Sequence, residues 1–194
     1  RSSEAISWLQ RAAKAAPEFR DAHYTLGQRL ADSRRWAEAA SAYRCAVELT
    51  PAFAAGWCGL GLASQHDPGV PARAATGYLE RAVALEPEVA QWRFNLGAAL
   101  QRSGDLTAAR QVYEQVLARS ADHVEAWFNL GAIAQDQLDY PAAIAAYRAA
   151  LQRETGFAAH AFYPVQRLHR TPAGDVLVAV TTDEENPAAT HPFS

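Results

Sequence analysis

The 194 residues suffice for one ordinary domain or one short repeat array, and 49% of them are apolar, enough for a continuous core. A formal charge of −3 offers no basic face to displace the counterions of a nucleic acid, so nucleic-acid binding is excluded from the expected functions. No run of about 18 apolar residues appears, so no membrane insertion is expected. No charged and then apolar leader opens the chain, and the expected compartment is the cytoplasm. The sequence begins at Arg1 and contains no Met, and it reads as a piece of something longer. Cys45 and Cys58 are too few for a disulfide framework, both fall on predicted helices, and both are expected to be free thiols.

Leu-Gly pairs organise the chain. Leu26-Gly27, Leu60-Gly61, Leu96-Gly97 and Leu130-Gly131 recur at spacings of 34, 36 and 34 residues. Three further series keep the same phase: Ala39, Ala75, Ala109 and Ala143; Tyr43, Leu79, Tyr113 and Tyr147; Ala46, Ala82, Val116 and Ala150. Pro17, Pro51 and Pro87 close successive units, with Ala121 in that position in the next. A period in this range is the mark of stacked helical hairpins, each exposing an apolar face that only a neighbour can cover. The Leu is expected in the core between the two helices of a unit. The Gly and the first Ala are expected where those helices cross, and the Tyr or Leu between neighbouring units. Pro ends the second helix and starts the turn into the next unit.

In chain order, residues 1–19 supply only a second helix, near residues 4–15, in which Ala5, Leu9, Ala12 and Pro17 lie 34 residues before their counterparts. Full units follow at 20–53, 54–89, 90–123 and 124–157, each predicted as two antiparallel helices. The second carries two extra residues around His66-Asp67-Pro68-Gly69-Val70-Pro71, which demand a longer turn. After about residue 157 the pattern breaks, because Pro164 falls where the core Leu should be. Residues 158–194 are therefore a non-repeat tail and the possible start of a further domain. Val165–Thr171 and Asp175–Thr182 flank Thr-Pro-Ala-Gly as a candidate β-hairpin.

These motifs resemble the tetratricopeptide repeat family, of bacterial type, whose pattern is W-x2-L-G-x2-Y, then A-x3-F, then P. Trp57, Leu60 and Gly61 match its opening, as do Trp127, Leu130 and Gly131, and the likeness covers residues 1 to about 157. Departures stand at the position after Leu-Gly, where Leu30, Ser64, Leu100 and Ala134 replace Tyr, and at His23, which replaces a Trp. The resemblance implies an all-α, right-handed solenoid whose first helices line a concave groove. The implied lining is Asp21, Tyr24, Thr25 and Gln28; Cys58, Gly59 and Leu62; Gln91, Phe94, Asn95 and Ala98; and Glu125, Phe128, Asn129 and Ala132.

Members that clamp a C-terminal carboxylate use Lys, Asn and Arg in that groove. Here the matching positions are Tyr24, Gln28, Gly59, Gln91 and Asn95 in one register, or Cys58, Leu62, Asn95, Glu125 and Asn129 in the next. They hold no lysine, and Glu125 would repel the ligand, so that clamp is not carried over. The chain is also similar to the superhelix of O-GlcNAc transferases, which bears an Asn ladder. Asn95 and Asn129 occupy that slot in Phe-Asn-Leu-Gly, and Thr25 and Gly59 fill it elsewhere. An amide that both donates and accepts suits a peptide backbone, although Asn can equally cap local hydrogen bonds. Phe94 and Phe128 are either apolar anchors for a ligand or packing residues.

Chemistry is not in evidence. The six histidines show no metal-ligand spacing, and there is neither a phosphate loop nor a nucleophile elbow. No catalytic residue, metal or cofactor is expected in this segment. The expected function is a protein-interaction scaffold that holds a peptide or partner protein in the groove formed by Tyr24, Thr25, Gln28, Gln91, Phe94, Asn95, Glu125, Phe128 and Asn129. The alternative is the substrate-recruiting region of a larger enzyme, for example a glycosyltransferase. Self-association through the solenoid ends is a further possibility.

Overall fold

The computed structural model of the chain describes residues 2–67, 69–153, 167–171 and 174–178. It is an all-α solenoid of helical hairpins. Helix α1 (Ser2–Ala15) stands alone and packs on the first hairpin, α2 (Arg20–Asp32) with α3 (Trp36–Leu49). Hairpins α4 (Ala54–Ser64) with α5 (Ala72–Leu85), α6 (Ala90–Arg102) with α7 (Leu106–Arg119), and α8 (Val124–Asp136) with α9 (Tyr140–Arg153) follow. The chain forms two compact units, residues 1–121 and 122–194. Among the described residues of the tail, β1 (Arg167–Thr171) pairs antiparallel with β2 (Gly174–Val178), with Thr171 opposite Gly174. That pairing overlaps the two candidate strand segments. The rest of the tail, including Pro164 and the acidic run at 183–185, lies outside the described residues.

The repeated glycines have a more specific task than backbone crossing. A Cβ on Gly97 would stand 2.7 Å from Cε1 of Tyr113, and one on Gly131 would stand 2.6 Å from Cε1 of Tyr147. Both are closer than real Cβ contacts come, so the glycine is the seat of the aromatic ring that follows it on the second helix. Tyr43 touches two seats, Gly27 of its own hairpin and Gly59 of the next, each at 2.7–2.8 Å from a notional Cβ. Only at Gly61 does a backbone atom share the contact, Ala75 O at 3.1 Å, with Leu79 in the ring's place. Leu26, Leu60 and Leu96 are buried as expected, whereas Leu130 is half-buried. Ala39, Ala75, Ala109 and Ala143 are buried beneath the crossings.

The first helices end in a shared way. Arg34 (φ 57°), Gly104 (φ 85°) and Leu138 (φ 60°) take the left-handed conformation after α2, α6 and α8. Each amide closes the helix, as in Arg34 N–H to Ala31 O at 2.9 Å and Leu138 N–H to Gln135 O at 2.9 Å. Glycine suits that backbone, and Arg34 and Leu138 occupy it at a cost of about 1 kcal/mol each.

The first helices also begin in a shared way, through the slot where the repeat pattern has Trp. Trp57 Nε1–H donates to Pro51 O at 2.9 Å, and Arg93 donates to Pro87 O. His23 lies 3.0 Å from Pro17 O through Nε2, which must carry the proton because a carbonyl only accepts. Three unlike side chains thus tie α2, α4 and α6 to the turns before them, and His23 is structural.

Opposite swaps in the fourth hairpin separate these two glycine roles. Gly131→Leu must displace the Tyr147 ring and is expected to cost about 1–3 kcal/mol. Leu138→Gly relieves the left-handed turn at a residue 70% exposed, and is expected to add about 1 kcal/mol. Urea denaturation checks both, and equal effects would refute the assignment. Burial, and then Asp136, pushes the Tyr147 phenol up to about 12. An unfolded tyrosine ionises near 10, so the stability carried by this proton is present below about pH 10 and is lost between about pH 10 and 12. Tyr147→Phe should flatten that alkaline limb in a pH series of melts.

Candidate functional site: the inner helical row

In the first unit α2 touches α4 and α4 touches α6, so the first helices form a continuous row. The row presents the slots that the repeat phase assigned to the groove. Gln28 and Gln91 are exposed, while Tyr24, Thr25, Phe94 and Asn95 are half-buried. In the second unit α8 presents Glu125 exposed, with Phe128 and Asn129 half-buried. Cys58, expected to line the groove, is instead 2% exposed.

The aromatic slots are packed from below. Tyr24 lies on Tyr43 with ring centroids 5.7 Å apart, Phe94 on Tyr113 at 5.8 Å, and Phe128 on Tyr147 at 5.3 Å. Each first-helix aromatic thus rests on the ring seated by its own hairpin's glycine, keeping one face partly open. Tyr24 also meets Phe53 edge-on at 4.9 Å, and Arg20 lies over Phe53 at 4.4 Å. Burial, then Cys58, pushes the Tyr24 phenol up, opposed by its hydrogen bond with Gln28.

The second hairpin breaks this arrangement at three linked positions. Cys58 stands in the aromatic slot and Leu79 in the ring slot. Gln101 and Gln135 accept from the hydroxyls of Tyr113 and Tyr147 at 3.1 and 3.2 Å, but the equivalent Gln65 faces no tyrosine. Its Nε2 and Oε1 atoms are buried without a hydrogen-bond partner, as is Ser64 Oγ. The missing ring makes room for the next hairpin's amide. Asn95 Nδ2–H donates to Cys58 Sγ at 3.2 Å, and Asn95 Oδ1 accepts from Gln91 Nε2–H at 3.1 Å. Asn95 is therefore held in place by neighbours on two helices. With two amide hydrogens and two carbonyl lone pairs, it keeps capacity for a ligand. Gly59 takes the same slot one hairpin earlier, where Tyr43 already fills the space a side chain would need.

The inserted turn is anchored. The His66 ring stacks on Trp36 of α3 with centroids 4.3 Å apart and planes 20° apart. Asp67 accepts from Gly69 N–H at 2.9 Å. Sequence reading did not find the His66–Trp36 stack or the Asn95–Cys58 bond, because both join residues of different repeats. Among the described residues no group of three or more His, Cys, Asp or Glu is placed to hold a metal ion, and no helix is long and apolar enough to cross a membrane.

Comparison with known proteins bears on this arrangement. A family model described as tetratricopeptide repeat matches residues 1–54, 24–64, 71–115 and 98–159. Among solved structures, one described as MamA is 23% identical with a TM-score of 0.74, covering 81% of this chain and 91% of its own. YrrB, described as a TPR protein with an unusual peptide-binding site, is 20% identical at a TM-score of 0.66, covering 79% and 78%. TTC0263, described as a thermophilic TPR protein in Thermus thermophilus, is 22% identical at 0.63, covering 79% and 83%. Among curated proteins no sequence match is found.

Both thiols are free, Cys45 half-exposed and Cys58 buried. Burial pushes the Cys58 thiol up, opposed by the Asn95 donor, and only a thiolate attacks a disulfide reagent. In the native protein Cys45 should react first and Cys58 only after unfolding, giving two thiols per chain without reductant. Equal native rates, measured with a chromogenic disulfide, would contradict the burial of Cys58.

Proposed function

The chain belongs to the tetratricopeptide repeat family, and from that premise we propose that it is a non-catalytic scaffold taking an extended peptide along the inner row of α2, α4 and α6. The observation that carries this reading is the alternation along the row. The Gln28, Gln91 and Asn95 amides offer donors and acceptors for a main chain, and Tyr24 and Phe94 offer half-open apolar faces for its side chains. The same pattern recurs on α8 in Glu125, Phe128 and Asn129. Repeat families of this kind are generally without catalysis. A relative described by its peptide-binding site supports a peptide as the partner class.

A second reading, the substrate-recruiting region of a larger enzyme, is favoured by the non-repeat hairpin β1–β2 that follows the last helix. The full reading frame separates the two, since a catalytic domain beyond residue 194 would support the enzyme. Self-association through the N-terminal end has in its favour Trp8, 64% exposed on α1.

Asn95→Ala tests the groove. Removing one net hydrogen bond should weaken peptide affinity by about 1 kcal/mol, or roughly fivefold. Calorimetric titration with a peptide selected against the wild-type protein is the measurement, with Asn129→Ala assayed separately. The variant should keep its helical circular dichroism. Unchanged affinity in a folded Asn95→Ala protein would remove the inner row from the binding surface.

A further inference from the structure

We propose that the uncovered face of α1, formed by Ala5, Trp8, Leu9 and Ala12, docks a helix of a partner protein that carries Trp-x2-Leu-Gly. Helix α1 is not part of the inner row, so this site is additional to the peptide groove.

The same face occurs a second time in the chain, and there it is covered. Two repeats on, α5 carries Ala75, Tyr78, Leu79 and Ala82 in the same slots, so the two helices share Ala, Leu and Ala with an aromatic before the Leu. Helix α4 packs on that face of α5. A Cβ on Gly61 would stand 2.7 Å from Leu79 Cγ and 3.1 Å from Ala75 O. Trp57 stacks on Tyr78 with centroids 5.9 Å apart and planes 29° apart. Ala75, Leu79 and Ala82 are each at most 1% exposed. On α1 the equivalent Ala5 and Ala12 are exposed, Leu9 is half-buried, and Trp8 is 64% exposed although Arg11 lies over its ring at 4.3 Å. The buried residues of α1, Ile6 and Ala13, belong to the core shared with α2.

Single apolar residues are ordinary on any protein surface. Four that duplicate a face buried elsewhere in the same chain are not, and the duplicate shows what covers them. A Leu in the ring slot needs a glycine opposite it, and the aromatic beside it takes a Trp ring. A second copy of this chain is poorly suited to supply these. Its four Leu-Gly pairs are already seated, Gly27 on Tyr43, Gly61 on Leu79, Gly97 on Tyr113 and Gly131 on Tyr147. Its α1 contains no glycine. An amphipathic partner helix with Trp-x2-Leu-Gly meets both needs, and the Trp8 ring provides the large apolar anchor.

The probe is a capped peptide of residues 123–137, which carries Trp127, Leu130 and Gly131, compared with its Gly131→Leu counterpart. The indole N–H resonance of Trp8 in isotope-labelled protein, assigned by its loss in Trp8→Phe, reports on the face. It should shift saturably with the first peptide, and the Gly131→Leu peptide should bind about tenfold or more weakly. Ala12→Glu in the protein, at an exposed position and with unchanged helical circular dichroism, should weaken binding by a similar factor. No saturable shift, equal binding of the two peptides, or binding that survives Ala12→Glu would overturn the site. Asn95→Ala should leave the Trp8 response intact. A response weakened by Asn95→Ala would place the helix in the inner row and overturn the α1 site. Sedimentation of the chain alone should give a monomer, and a dimer abolished by Ala12→Glu would assign the face to a second copy instead.

Discussion

A tyrosine ring seated on a glycine is the contact from which the rest of the fold is built. The ring rises from the second helix and the glycine lies on the first, so one residue pair fixes how closely a hairpin closes. Tyr43 shows the further step, because its ring rests on Gly27 and Gly59 together and thereby sets the spacing between two hairpins. Neither partner tolerates exchange alone. A Cβ on the glycine meets the ring below 3 Å, and a smaller side chain on the second helix leaves a void in a core rich in alanine. The exposed face inherits this order. Tyr24, Phe94 and Phe128 lie on the seated rings, so the depth and tilt of each groove aromatic follow from a glycine three residues further along the same helix, against the same ring.

The second hairpin shows what happens when the ring is absent. Leu79 fills the seat on Gly61, Cys58 takes the aromatic slot, and the inner row becomes locally apolar. The following hairpin responds by turning its Asn95 amide toward the sulfur. A polar ladder along the row is thus interrupted for two different physical reasons. At Gly59 a ring already occupies the space. At Asn95 the side chain is present, but part of its hydrogen-bonding capacity is spent on Gln91 and Cys58.

The hairpins were legible in the sequence because period, turn residues and small-residue slots share one phase, and each slot reports its environment independently. The first-helix slots were legible for the same reason, which is why Gln28, Gln91, Phe94 and Asn95 could be placed on one row. Contacts between unlike slots of successive repeats were not legible. The Asn95–Cys58 bond joins residues 37 apart, one in the ladder slot and one in the aromatic slot, and no periodic pattern relates them. Nor did the pattern separate a glycine that admits a ring from one that admits a backbone, since both need only smallness. The left-handed residues Arg34 and Leu138 were hidden because their side chains give no sign of the backbone they occupy.

Gln65 carries one more consequence. Its amide is buried and unpaired because the second hairpin lacks the tyrosine hydroxyl that Gln101 and Gln135 receive. An orphaned buried amide costs on the order of 1–3 kcal/mol, and in a linear stack each repeat relies only on its neighbours. A weak point of the first unit therefore lies inside it as well as at its ends. Fraying from the termini, the usual first opening of a repeat array, competes with an internal breach between α4 and α5. Such a breach would sever cooperativity between the hairpins on either side. Amide exchange would then divide the first unit into two independently opening blocks, with α4 and α5 as the fast-exchanging boundary.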